Sequence, residues 1–348
     1  MSLYVLDRID DAVSLMRSLL FPFSAWLWLK LTVVLAFVGT ASGGGSSLSV
    51  VSNVPSFGAS LSEVPGGTVS LPGRIPEGAL LVGAIAVALV VVLGLVVGYV
   101  GAVMEFVWLS ALREQELSLR AAFGRSLRRG WRLFAFRFVL GAIGVLSVAA
   151  TVGLLLWPEL SALAAGDGIE LGASLFGRGL LAVTVAGVVI AVVGLLHGTT
   201  TEFVAPIMLL EDVGTVEGWR RFYPTLREDI VQYVAYLGVA FVLRVLTAAG
   251  AGTVVTVVVT AVSIPFALAG VVLLAGAFAA GGLSPATLAI GVPLLILYLA
   301  VVACCSAAVF VPVRAFHRYH GLLVLGDTND RFDVLAERRA DLGPDFES

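Results

Sequence analysis

The chain has 348 residues, of which 59% are hydrophobic and only 13% charged, and its mean hydropathy is +1.02. A soluble domain carries roughly a quarter charged residues, so an ordinary globular fold is excluded, and a net charge of −3 with a pI of 5.7 does not mark a nucleic-acid binder. Several apolar runs exceed the ~18–20 residues that cross a bilayer, and the chain reads as all-α, a polytopic integral membrane helix bundle.

Residues 1–22 read as a cytoplasmic amphipathic helix. Val5, Ile9, Val13 and Met16 recur at helical spacing opposite Asp7, Arg8, Asp11 and Ser14, the pattern of a helix lying in the membrane interface. This start lacks the basic, apolar and small-residue order of a cleavable signal peptide. Phe21-Pro22-Phe23 then turns the chain, because proline disfavours helix in the residue before it. The transmembrane domain is expected over residues 23–313. Its first span runs over residues 24–41, with Trp26 and Trp28 at headgroup level and Lys30 able to snorkel back.

Residues 42–78 are a Gly/Ser/Pro loop, placed outside the cell, whose only basic residue is Arg74. A second span over 79–109 leads to a connector at 113–132 that holds Arg113, Arg120, Arg125, Arg128, Arg129 and Arg132. The third span reaches Leu156, where Trp157-Pro158 stops it, and a sparsely basic loop follows to Arg178. The fourth span covers 179–209, a charged connector with Arg220, Arg221 and Arg227 covers 211–230, and a fifth span starts near Val231. Residues 253–280 are apolar enough to cross again. Ile264-Pro265 divides them, and the expected reading is the end of a long fifth helix followed by an outer interfacial helix. The last span runs over 288–311, and residues 314–348 form an acidic cytoplasmic tail.

Counting Arg137 with the connector it follows, seventeen of the 21 Lys and Arg residues fall in the N-terminal helix, the two connectors and the tail, against Arg74 and Arg178 in the intervening loops. The positive-inside bias then places both termini in the cytoplasm of a multi-pass cell-membrane protein. That requires an even number of spans: six, with amphipathic connector helices on the inner side. The alternative of seven, with residues 253–280 crossing once more, would put the C-terminus outside.

Glu105-Phe106-Val107 recurs as Glu202-Phe203-Val204, and Leu140-Gly141 matches Leu237-Gly238 at the same offset. Each copy is an inward span, an inner amphipathic helix and an outward span. Phe310-Val311-Pro312-Val313 echoes Phe203-Val204-Ala205-Pro206, so a third hairpin would be split between the two termini. The run from Glu202 to Asp212, with Gly218-Trp219-Arg220-Arg221-Phe222 and Gln232-Tyr233, resembles a haloarchaeal membrane family of unknown function. Asp10-Asp11-Ala12 and Phe21-Pro22-Phe23 are similar to that family too. The plan more distantly resembles bacterial six-helix proteins related to the membrane domain of glycerophosphodiester phosphodiesterases. The likeness implies an integral membrane location and six helices and transfers no activity. A salt-adapted source agrees with Lys30 being the sole lysine beside twenty arginines, and with the acidic C-terminal stretch.

Ionisable side chains inside spans are the candidate site residues, because charge in hydrocarbon is costly: Lys30, Glu105, Arg137, His197, Glu202 and Arg244. Glu105, Arg137, Glu202 and Lys30 fall at a similar depth. They line a polar path, or else they are structural ion pairs between hairpins. Arg244 lies deeper, with no acidic residue clearly at its level, and is the candidate for a ligand role. It could face His197, a helix carbonyl or an anion. His197 and Glu202 do not share a helix face, and no set of three convergent metal ligands is visible. Thr199-Thr200-Thr201 suits hydrogen bonds to the preceding turn. Arg314, His317, Arg318 and His320 read as a basic cap on anionic headgroups. Gly94-x-x-x-Gly98 reads as a close-packing face, and the adjacent Cys304 and Cys305 as small packing residues.

No catalytic motif, cofactor or metal is expected. The expected function is a non-enzymatic scaffold or accessory subunit of a membrane complex. Its partners would be the lipid bilayer and a membrane protein or a second copy, with no nucleic acid. A permease or channel for a small solute or lipid, using Arg244 and the inner charges, is the alternative.

Overall fold

The computed structural model describes residues 4–41, 77–115, 118–158, 161, 173–279, 282 and 284–342. Nearly all of the 42–78 loop and most of the 158–178 loop lie outside the described residues. Helix α1 spans Tyr4–Leu20, α2 Ala25–Ala41, α3 Glu77–Glu114 and α4 Leu119–Leu155. Helix α5 runs as Ala173–Thr199, passes a π turn at Thr200–Val204 and ends as Ala205–Glu211. Then come α6 (Thr215–Glu228), α7 (Ile230–Ala279), α8 (Pro285–Thr328), a 3-10 turn at Asp330–Phe332 and α9 (Ala336–Leu342).

Among the described residues, α3, α4, α5, α7 and α8 are long and apolar enough to cross a membrane, and a sixth span is added if α1 and α2, bent by 118°, count as one. The chain is a polytopic membrane helix bundle. Helix α2 alone, at 17 residues, covers ~26 Å of the ~30 Å hydrocarbon core. Ser284 and Pro285 start α8, with the Ser284 hydroxyl accepting from the Thr287 amide at 3.2 Å and proline taking the first turn, where no amide is needed.

The expected division at Ile264-Pro265 is absent. Helix α7 runs unbroken for 50 residues with Pro265 inside it, so neither an outer interfacial helix nor a seventh span forms there. A proline removes one helical hydrogen bond, but hydrocarbon offers the flanking backbone no other partner, and the helix continues through it. For the same reason α8 holds Pro293 and Pro312. The basic 113–132 stretch is likewise no separate helix. Helix α3 ends at Glu114, and the rest is the first half of α4, continuous with the third span.

Two further expectations change at the basic end. Helix α1 is amphipathic, but Val5, Ala12, Leu15 and Leu19 are buried in the protein core and its main neighbour is α8. Protein, not lipid, covers that face. The 313/314 boundary falls inside α8, whose residues Ala315 to Gly326 are almost all buried, and Phe332, Val334 and Leu335 beyond it are core residues too. Arg339 pins this return to Asp327 (2.5 Å), Asp333 (3.1 Å) and the Leu323 carbonyl (2.8 Å).

Helix α2 packs on α3 and α8, α3 on α4, α4 on α5, and α7 on α8, whereas α5 and α7 share no comparable interface. The long helices form an arc that is open between α5 and α7. The core sits almost wholly at the basic end, in α1, the inner parts of α2 and α3, the end of α5, α6, the start of α7 and the end of α8. Helices α3 and α4 approach closely there: a Cβ on Gly130 of α4 would lie 2.8 Å from the Val103 Cα of α3. Of the expected glycine face, a Cβ on Gly98 would lie 3.2 Å from the Phe134 ring, but Gly94 faces open space.

Candidate functional site: a buried charge layer

Where the core gives way to the bare apolar arms, five helices place charged side chains at one level. Arg318 of α8 is the hub. One guanidinium nitrogen donates to Glu105 of α3 at 2.8 Å and another to Glu202 of α5 at 3.2 Å, with the arginine and Glu105 buried. Arg244 of α7 donates to the other oxygen of Glu202 at 2.7 Å. Arg137 of α4, also buried, donates to the Thr201 hydroxyl at 2.5 Å. The two glutamates are the equivalent positions of the sequence repeat, and one arginine joins them.

Local sequence explains how α5 presents Glu202. Pro206 has no amide to give the Glu202 carbonyl one turn back, and its ring crowds that carbonyl. The turn widens into the π segment, where the Ala205 amide bonds the Thr200 carbonyl. Thr200 and Thr201 donate their hydroxyls to the Leu196 and His197 carbonyls, at 2.6 and 2.9 Å. The same hydroxyl oxygens accept from Trp219 of α6 and from Arg137. The first repeat has Leu109 where the second has Pro206, and α3 is regular there.

Gly321 lets the layer close. A Cβ there would lie 2.9 Å from the Tyr236 hydroxyl and 3.1 Å from a Glu202 oxygen. Below it, rings fill the space: Phe203 stacks on Phe222 at 5.4 Å, and Tyr233 and Tyr236 meet Phe203 edge-on at 5.1 and 5.2 Å. Glu105 Oε2, Arg137 Nε and Nη1, Arg318 Nε and the Tyr236 hydroxyl are buried without a hydrogen-bond partner among the described residues. A buried polar atom left unpaired costs ~1–3 kcal/mol, so ordered water would stabilise this layer.

Four of the six candidate residues therefore meet in one layer: Glu105, Arg137, Glu202 and Arg244. Arg244 differs from expectation in having an acidic partner. Helical side chains lean toward the N-terminus of their helix, here the basic end, and an arginine is long enough to descend to Glu202. Its side chain remains 47% exposed, at the gap between α5 and α7. Lys30 instead stands 5.4 Å over the Trp26 ring, and His197 lies one turn above Glu202, with its carbonyl bonded to Thr201. Among the described residues no group of three His, Cys, Asp or Glu side chains could hold a metal ion.

Sequence reasoning missed the hub. Arg318 and His320 are not a headgroup cap: both are buried, and His320 Nε2 lies 2.8 Å from the Val5 carbonyl of α1. His317 Nε2 meets the Thr247 hydroxyl at 2.8 Å. The signal was Leu322-Leu323-Val324-Leu325 just beyond, an apolar run that needs protein around it and draws the preceding arginine inside.

A multi-pass membrane bundle tied together by a buried layer of arginine and glutamate is the class that fold and site define. Residues 3–335 match DUF7544, a family of unknown function, and the chain belongs to that family. No curated protein and no solved structure matches it, so the distant likeness to phosphodiesterase membrane domains rests on the helix plan alone.

Proposed function

We propose that this protein is a non-enzymatic membrane scaffold or accessory subunit. Its basic end faces the cytoplasm with both termini, and its apolar arms are offered to lipid and to the helices of a membrane partner or a second copy. The observation that carries this reading is the use made of the charges. Arg318, Glu105, Glu202 and Arg244 bond one another across α3, α5, α7 and α8, which is what a clamp requires. Outside the clamp, none of the most apolar stretch of α7 is buried within the chain and only 6% of those of α4 and α5, surface free for other helices. The orientation rests on the clustering of Lys and Arg at one end. The lysine-poor composition and the haloarchaeal resemblance support an archaeal, salt-adapted source.

Extraction of the tagged protein from its native membranes in a gentle detergent, followed by mass spectrometry of what elutes, tests the role. A stoichiometric membrane-protein partner or a stable homo-oligomer is the expected result. A monomer carrying a defined solute would sink the proposal in favour of a permease. Arg244, half-exposed beside the open side of the arc, is the one observation favouring that second reading. An Arg244→Leu variant in proteoliposomes separates the two, since a permease loses flux and a scaffold keeps its assembly.

A further inference from the structure

Beyond the charge layer, α3, the first half of α4 and Leu209 of α5 line a partly open cavity of about 180 Å³ at the basic end, several times the ~30 Å³ share of one water. Its wall is mostly polar, with Ser110, Arg113 and Glu114 from the end of α3 and Arg125, Ser126 and Arg129 from one stripe of α4, and only Ala122 and Leu209 apolar. We infer that this cavity binds a phosphate-bearing anion, either the headgroup of an anionic lipid or a free phosphate compound.

Charge and preorganisation carry the inference. Guanidinium groups match phosphate oxygens in pairs, and three arginines line this small space beside a single carboxylate residue, Glu114. Arg129 is held by its Nε, which donates to Asp212 at 2.8 Å and leaves the terminal nitrogens available. Among the described residues the Arg113 side chain makes one distant ion pair, 4.0 Å from an exposed Glu337. Arg125 is exposed and makes no ion pair among the described residues. The C-terminal carbonyls of α3 would repel an anion, but Arg338 covers them, donating to the carbonyls of Arg113 (3.1 Å) and Glu114 (2.7 Å) and adding a fourth positive charge.

The level suits a headgroup. On the same helix, Trp131 is 57% exposed, and it meets Tyr99 at 5.9 Å and Phe134 at 5.8 Å. Such aromatic clusters mark the membrane–water boundary, and Arg129 and Arg125 lie within two turns of Trp131. An acyl chain could follow the exposed flank of α4 while its phosphate enters the cavity.

The test is thermal unfolding of the full chain at fixed ionic strength. It is done in nanodiscs of phosphatidylcholine, with and without phosphatidylglycerol, and in neutral detergent titrated with inorganic phosphate. Arg125→Gln is the test variant, chosen because Arg125 makes no hydrogen bond or ion pair among the described residues. Arg120→Gln, exposed and outside the cavity, is the control. Loss of one charged hydrogen-bonding partner should weaken the apparent affinity about tenfold. Stabilisation by phosphatidylglycerol alone, lost in Arg125→Gln and kept in Arg120→Gln, supports the lipid source. Saturable stabilisation by phosphate with the same dependence supports the soluble one. No stabilisation by either probe, or equal responses of both variants, overturns the inference.

Discussion

The two ends of this molecule are built from opposite materials. At the basic end α1, α6 and the return after α8 wrap the inner parts of the long helices, and large side chains such as Phe106, Tyr236 and Tyr319 are fully buried. In the arms the same helices leave Leu89, Leu146, Val183 and Phe278 more than two-thirds exposed. Water explains the contrast. At the basic end apolar surface must be covered by protein, whereas lipid solvates the arms as well as protein would, so hydrophobicity gives them no reason to associate. Polar atoms behave the other way round. In the arms Thr184 and Thr256 turn back to carbonyls one turn away on their own helix, and Ser263 of α7 also reaches the Tyr298 hydroxyl of α8 at 2.9 Å, whereas between the two regions charged groups pair across helices. Cohesion should therefore come from the basic end and the charge layer.

Arg318→Met is the strongest way to break that comparison. It leaves Glu105 buried without its only ion-pair partner among the described residues, and leaves Glu202 with Arg244 alone, at a cost of about 3–5 kcal/mol. A large fall in melting temperature in mild detergent is expected. Arg244→Leu should cost less than ~1 kcal/mol, because Arg244 is half-exposed and Glu202 keeps Arg318. Adding Glu105→Gln to Arg318→Met should recover part of the loss, since directly bonded partners are not additive. Next in size is the same truncation at the two ends. Leu112→Ala, wholly buried, should cost about 2–5 kcal/mol, and Leu146→Ala, 68% exposed, no more than ~0.5 kcal/mol. Equal losses would mean that the arms pack as tightly as the core.

What could be read from sequence divides along the same line. Spans were legible because lipid demands long apolar runs whatever lies beside them, and Glu105 and Glu202 stood out as charges within such runs, both of which reach Arg318. The fate of Pro265 was misread, since proline ends helices in water more readily than in hydrocarbon. The amphipathic stripe of α1 was visible, but its covering was not: a stripe facing lipid and one facing α8 have the same periodicity. Arg318 was hidden for a related reason. A basic residue after a span usually meets headgroups, and only the docking of a distant apolar segment shows that this one turns inward.

Glycine substitutions sharpen the comparison at intermediate size. Gly130→Ala puts a methyl against the Val103 backbone and should destabilise by about 1–3 kcal/mol. Gly94→Ala, in open space on the arm of α3, should be neutral or slightly stabilising, because alanine favours helix by up to ~1 kcal/mol. Thermal unfolding of the two variants side by side reads the difference directly.

The smallest effect lies at the rim of the basic end. Asp212 follows α5 in the left-handed region, at φ +52°, and accepts the hydrogen bond from Arg129. That bond, then the charges of Arg129, Arg128 and Arg132, hold its carboxyl below the ordinary value of 3.8. A carboxylate whose pKa is lowered by folding contributes stability above its unfolded value, and that contribution is lost as pH falls through the lowered folded value. Stability should therefore show no Asp212-dependent change between pH 7 and about pH 5, and should decline only in stronger acid. Asp212→Asn tolerates the same backbone conformation and removes the charge. The difference between wild type and variant, followed by melting temperature against pH at low salt, should be small and flat near neutrality and should close in acid. A difference that widened on acidification would show that the Arg129–Asp212 contact is not the stabilising ionised pair described above.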